Sequence, residues 1–167
     1  MDFFFDWKML GLATATIEDL VVFPRAKGSK KVENLMFKTA YKLDTTLSSK
    51  EAIVEAVHLY SDAFEHGTPD AGVNLLRILV KVQSGLKDEG TAVENLPFQK
   101  KTDYYIRCLK NLNHPAGFYY EALQLCLGLV NNGLSDTDNL NDGADMMCEL
   151  ALVGNEYAKA FFKIIDD

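Results

Sequence analysis

Ala56–Leu75 reads AVHLYSDAFEHGTPDAGVNL, a helix, a stop and a second helix in one short stretch. Ala56, Leu59, Tyr60, Ala63 and Phe64 recur at the three- and four-residue steps of a single helical face. His66-Gly67-Thr68-Pro69-Asp70 follows. Glycine tolerates the left-handed conformation that ends a helix, and proline suits the first position of the next one. Ala71 and Leu75 then open a second stripe. Small residues on both sides of so tight a turn let two antiparallel helices approach closely.

Downstream the unit recurs. Ala63-Phe64-x-x-Gly67-x-x-x-Ala71-x-x-x-Leu75 is matched at the same spacing by Leu150-Ala151-x-x-Gly154-x-x-x-Ala158-x-x-x-Phe162. A middle copy, Leu109-Lys110-x-x-Asn113-x-x-Ala116-x-x-x-Tyr120, reads as one residue shorter in the turn, with asparagine in the glycine's place. Ala71, Ala116 and Ala158 lie 45 and 42 residues apart, in the range of helical solenoid repeats. These copies predict an all-α chain of about seven helices, stacked as a short right-handed α-solenoid of antiparallel pairs. Residues 1–48 are expected to form an N-terminal helical cap and 49–167 the repeats, within one compact domain.

Working outward, Asp2 and Thr16 are candidate caps for two short N-terminal helices, and the aromatic run Phe3 to Trp7 is expected to cover the open end of the stack. Pro24 ends what precedes it, and Arg25–Lys31 is a basic connector without the GxxxxGK[ST] pattern of a phosphate loop. A helix is predicted from Ser29 or Lys30 to about Leu43, and Ser48 or Ser49 caps the next. The helix after Pro69 is predicted to end near Ser84. Gly85–Lys101 is then a long irregular segment with a short helix around Ala92–Leu96. Thr102 is expected to cap a helix to Asn113, and the next runs from Ala116 to about Asn131. Gly133–Gly143 reads as an acidic loop before the last two helices, Ala144–Val153 and Asn155–Ile165. Strand signals are weak throughout.

The pattern Ala56-x-x-Leu59-Tyr60-x-x-Ala63-Phe64-x-x-Gly67-x-x-x-Ala71-x-x-x-Leu75 resembles the Sel1-like repeat, a relative of the tetratricopeptide repeat. Gly143-Ala144-x-x-Met147-x-x-x-Ala151-x-x-Gly154-x-x-x-Ala158 resembles the same motif, with Met147 where an aromatic is commoner. The resemblance spans roughly residues 50–165. It implies stacked helix pairs that serve as scaffolds for other proteins. The family has no shared catalytic residues to carry over.

Bulk properties narrow the function. The chain has 167 residues, enough for one domain with a core, and carries a net charge of −7. Residues 1–50 hold 8 Lys/Arg against 6 Asp/Glu, whereas residues 51–167 hold 9 against 18. Such an acidic surface repels phosphate backbones and disfavours nucleic acid, but suits a basic protein partner. It also serves solubility. No apolar run is long enough to span a membrane, and Asp2 and Asp6 stand where a secretory signal needs positive charge, so a cytoplasmic protein is expected. Cys108, Cys126 and Cys148 have neither metal nor disulfide-framework spacing and read as buried free thiols.

Four sets of residues are candidates for chemistry. Glu55, His58, Asp62 and His66 fall on one helical face, and Glu55-x-x-His58 has the spacing used in di-iron bundles. The glutamates and second pair that such a centre needs are missing, so the face reads as solvated or as a partner contact. Asp138, Asp142, Gly143 and Glu149 fall at positions one, five, six and twelve of a calcium-binding loop. Leu140 offers no oxygen at position three, and Asp142 capping a helix accounts for the same residues. No GxSxG, HExxH or phosphate-binding loop is present. Finally, Asp136, Asp138, Asp142, Asp145, Glu149, Glu156, Asp166 and Asp167 face only Lys159 and Lys163 beyond Leu134. A dense acidic patch on a rigid frame can mimic phosphate and steer a basic partner.

The expected function is therefore non-catalytic protein binding, without cofactor or metal. Its most specific form is an immunity or inhibitor protein that neutralises a toxin domain through an acidic helical surface. A scaffold or regulatory adaptor in bacterial signalling, and an α-helical metal-dependent enzyme, are the alternatives. The partner-binding candidates are Asp136, Asp138, Asp142, Asp145 and Glu149, with Glu55, His58, Asp62 and His66. The chain itself is expected to be a monomer or weak dimer.

Overall fold

The helix after Pro69 forms the centre of the molecule. In a computed structural model, which describes residues 35–46 and 50–165, every residue from Ala71 to Gln83 is buried. Seven α-helices are present among the described residues: α1 (Leu35–Thr46), α2 (Lys50–Glu65), α3 (Pro69–Asp88), α4 (Gln99–Asn111), α5 (Pro115–Cys126), α6 (Asp136–Leu152) and α7 (Glu156–Ile165). A single 3-10 turn, Val93–Asn95, interrupts the α3–α4 connection, and no strand occurs among these residues. The expected all-α architecture is present. The expected N-terminal helices, the Phe3–Trp7 cover and the Ser48 or Ser49 cap lie outside the described residues, as do Asp166 and Asp167.

Each helix packs against the next along the chain, and α3 also meets α5, as α5 meets α7. This is the neighbour order of stacked helix pairs. The core is aliphatic and aromatic: Leu75, Leu76, Leu79 and Val80 of α3 are fully buried, with Tyr60, Tyr105, Tyr119, Tyr120 and Leu123 around them. Burying each such side chain stabilises the fold by about 1.5–3 kcal/mol. One set of buried polar groups is tied together across three helices. Tyr60 Oη donates to Asp44 at 2.8 Å and receives Asn74 Nδ2 at 3.3 Å. Arg77, fully buried, reaches the same Asp44 carboxylate at 3.4 Å, so α1, α2 and α3 share one buried polar cluster.

The three turns quoted above have one geometry. Gly67, Asn113 and Gly154 all take positive φ, at 94°, 55° and 93°. The following amide then bonds back across five residues: Thr68 to Ala63, His114 to Leu109 and Asn155 to Leu150, at 3.0, 2.9 and 2.9 Å. This is the Schellman closure, which satisfies carbonyls that a helix end leaves open. The middle turn proves as long as the others. Gly117, not Ala116, therefore stands at the position of Ala71 and Ala158. A Cβ on Gly117 would lie 2.8 Å from the Lys110 backbone nitrogen, so α4 and α5 approach too closely there for a side chain.

Several boundaries differ from expectation for the same kind of reason. Helix α3 continues past Gly85 to Asp88 and stops at left-handed Gly90. A helical glycine costs only about 1 kcal/mol, and Leu86 packs on the core just beyond it. Helix α4 starts at Gln99, leaving Thr102 inside it, buried and donating to the Phe98 carbonyl at 2.9 Å rather than capping. Helix α5 stops at Cys126, before left-handed Gly128. Helix α6 begins at Asp136 instead of Ala144. Ser135 Oγ accepts the Asp138 amide at 3.1 Å, and Asp136 and Asp138 sit in the first turn, where the helix dipole favours carboxylates.

Candidate protein-binding surface

The longer α6 turns the expected acidic loop into an acidic helix wall. Asp136, Asp138, Asp142, Asp145 and Glu149 are all exposed on α6, which contains no Lys or Arg. At 3.6 residues per turn, the last four fall within an arc of about 60°. Asp136 is held at 2.8 Å by Lys87, whose Nζ also donates to the Gly128 carbonyl at 2.6 Å. That bridge fixes the start of α6 to the end of α3. Because residues 138–149 are continuous helix, they cannot wrap a cation as a calcium loop does. Among the described residues, no three His, Cys, Asp or Glu side chains converge as metal ligands.

Glu55, His58 and Asp62 are likewise exposed along one side of α2, and His66 is exposed just past its end, with its Nδ1 2.7 Å from the Asp62 carbonyl oxygen. The fold does not bring this set to the α6 acids. Helix α2 packs with α1 and α3, whereas α6 packs with α5 and α7, so the stack separates them.

Between α4 and α6 lies a feature that the candidate residues did not anticipate. Hollows of about 680, 240 and 360 Å³ run into one another through shared Glu121 and Met146, then Phe118, Leu150 and Val153. They form a trough floored by successive turns of α5 at Pro115, Phe118, Glu121 and Leu125. At 1.5 Å per residue that floor is about 15 Å long. Ile106, Leu125, Val130 and Met146 make its wide end apolar. At its narrow end Val153, 81 % exposed, and neighbouring Leu152, 86 % exposed, leave apolar surface in solvent. Solvent-exposed apolar side chains grouped beside a groove mark contact sites more often than isolated ones do.

The α4 side of this trough carries charge of both signs, from Asp103, Arg107 and Lys110, whereas Lys100 and Lys101 line a separate hollow beside Glu65 and Tyr104. Helix α4 holds Lys100, Lys101, Arg107 and Lys110 against one acid, Asp103. Arg107 and Lys110 line the trough, where Lys110 binds Glu121 at 2.6 Å and lies 5.6 Å from the Phe118 ring centroid. Partial burial raises the Asp103 carboxyl above its usual range, an effect that Arg107 partly offsets. On the other side Met146, Glu149, Leu150 and Val153 line the hollows, and of the acidic arc of α6 only Glu149 does so. A surplus of cations on one helix, within an acidic half-chain, was the available sequence signal for the α4 side.

The equivalent turns also line up along one edge. His114 Nδ1 accepts the Ala116 amide at 3.1 Å, so the neutral ring carries its proton on Nε2, which lies 3.1 Å from Asp70 Oδ1. Asn155 caps α7 by accepting the Tyr157 and Ala158 amides, while its Nδ2 donates to the Pro115 carbonyl at 3.0 Å. Each cap thus ties its helix pair to the pair before it. No protein-family model, no curated protein and no solved structure matches the chain.

Proposed function

We propose that the protein is a non-catalytic protein-binding module, and most specifically an inhibitor that neutralises a basic toxin domain through the acidic face of α6. The Sel1-like reading of its repeats belongs to the same proposal. One observation carries it: Asp138, Asp142, Asp145 and Glu149 stack on one exposed helical face with no internal cation to neutralise them. Rigid helical backbone holds these charges at fixed spacing, which favours fast, electrostatically steered association with a basic surface. The exposed face of α2, with Glu55, His58, Asp62 and His66, is a second contact surface under this reading.

The test is neutralisation in cells. A toxin-bearing chain with a basic domain should be encoded beside this one, and co-expression should restore growth. Asp138→Asn/Asp142→Asn/Asp145→Asn should remain folded yet lose protection, and its association rate should fall roughly tenfold at low salt. Protection that survives the triple substitution, or association that is insensitive to salt, would sink the proposal.

A further inference from the structure

Asn132-Gly133 is the single Asn-Gly pair in a chain that holds ten asparagines. Both residues are exposed in the turn before α6, and Gly133 takes φ 78°. An asparagine before glycine is the arrangement in which the following backbone nitrogen reaches the side-chain carbonyl most easily, because no Cβ stands in its way. Here nothing lies within 4 Å of a Cβ built on Gly133, and the Gly133 amide donates no hydrogen bond among the described residues. The carbonyl is also polarised. Asn132 Oδ1 accepts the Leu134 amide at 3.1 Å and Asn139 Nδ2 at 3.2 Å, two donors placed where negative charge gathers when Cγ is attacked.

We propose that Asn132 is a self-modification site, at which deamidation through Gly133 releases the start of α6. The Gly133 nitrogen gives its proton to solvent base and bonds to Asn132 Cγ. The Cγ–Nδ2 bond breaks, and Nδ2 takes a proton from water and leaves as ammonia, closing a five-membered imide. Water then adds to one of the two imide carbonyls. Opening at Cγ leaves aspartate, and opening at the main-chain carbonyl leaves isoaspartate, with the chain running through the former side chain. Water is the only co-reactant, and nothing is oxidised or reduced. The step does not depend on what the protein binds.

Asn132 is at the same time a clamp. Its Nδ2 donates to Asn139 Oδ1 at 2.8 Å while Asn139 Nδ2 returns the bond, and Asn139, in the first turns of α6, is buried. Paired amides each supply a donor and an acceptor, whereas a carboxylate supplies acceptors only. An aspartate at 132 keeps the bond from Asn139 Nδ2 but sets its other oxygen against Asn139 Oδ1. Turning the Asn139 amide over only exchanges the two. Isoaspartate adds a backbone atom and displaces the carboxylate as well. Either product leaves a buried acceptor without its donor, and the loss falls at the end of α6 that carries Ser135, Asp136 and Asp138.

Ageing the full-length protein in warm, mildly alkaline buffer tests this by peptide mapping and hydrogen exchange. Asn132 should be the first of the ten asparagines to gain one mass unit, with aspartate and isoaspartate both present. Asn132→Gln should remove that early product, because the longer side chain closes its ring poorly. In the aged protein and in Asn132→Asp alike, the Asn139 amide, bonded to the Ser135 carbonyl at 3.0 Å, should exchange roughly fivefold faster, while the amides around Met147 keep their rates. Earlier conversion of another asparagine, or no gain at Asn132, would overturn the proposal. So would Asn139 exchange that is the same in fresh, aged and Asn132→Asp protein.

Discussion

Two glycines inside helices should respond to alanine with opposite signs. Gly143 sits in mid-α6, where an added Cβ would lie 2.7 Å from the Cys126 backbone nitrogen and 2.9 Å from Leu125 Cβ. Ordinary contact begins near 3.4 Å, so α5 and α6 must separate by about 0.7 Å, and backbone cannot rotate aside. Overpacking of this kind costs about 1–3 kcal/mol. Alanine's helix preference returns up to about 1 kcal/mol. The net for Gly143→Ala is a loss of about 1–2 kcal/mol. Gly85 is also helical, in α3, but nothing lies within 4 Å of its added Cβ, so Gly85→Ala should gain about 0.5–1 kcal/mol. Urea unfolding followed by circular dichroism separates the two. With a slope of about 2 kcal/mol/M, the midpoints should move about 0.5–1 M down and about 0.3–0.5 M up. If Gly143→Ala were as stabilising as Gly85→Ala, α5 and α6 could not be as close as described, and the trough they help to form would lose its floor.

Further outcomes follow from the same structure. Asp44→Ala removes the carboxylate that Tyr60 and fully buried Arg77 share, and should cost about 3–5 kcal/mol, readable as a large drop in thermal midpoint. Asn113 holds a left-handed conformation at φ 55°, so Asn113→Gly should be neutral or stabilising by a few tenths of a kcal/mol, whereas Gly154→Ala, at φ 93°, should cost about 1–2 kcal/mol in the same assay. Burial raises the phenols of Tyr105, Tyr119 and Tyr157 above the ordinary value of 10.0. The unfolded chain therefore loses these protons first, and stability should decline as pH rises beyond about 10, with Tyr119→Phe flattening the decline.

Much of the frame was legible because the residues responsible act locally. Gly67, Gly154 and Asn113 stop helices through their own backbone preference, and Pro69 and Pro115 restart them. What was not legible depended on neighbours. Gly85 reads as a terminator in isolation, but Leu86 buried against the core and Lys87 bonded to Gly128 carry α3 onward. Gly143 reads as the end of a loop, yet its missing side chain serves a close helix crossing. Asn74 and Arg77 look like positions for solvent, and only the cluster with Asp44 and Tyr60 explains their burial. The acidic residues of the site were identified from composition, but their alignment depended on where α6 starts. Ser135 sets that start.

That dependence bears on function. Stacking fixes which residues must be small, left-handed or apolar, and those positions would be filled in the same way whatever the protein bound. Exposed charge at Arg107, Asp142, Asp145 and Glu149 is under no such constraint, since none of it closes a turn or fills the core. Solubility alone calls for charge with both signs mixed, not sorted by helix. Here α4 holds four cations to one anion, whereas α6 holds five anions and no cation. Sorting of that kind keeps like charges adjacent along each helix, which is mildly destabilising. The Lys110–Glu121 and Lys87–Asp136 bridges offset part of that cost within the protein, and a basic partner of the proposed kind would neutralise the α6 acids that remain.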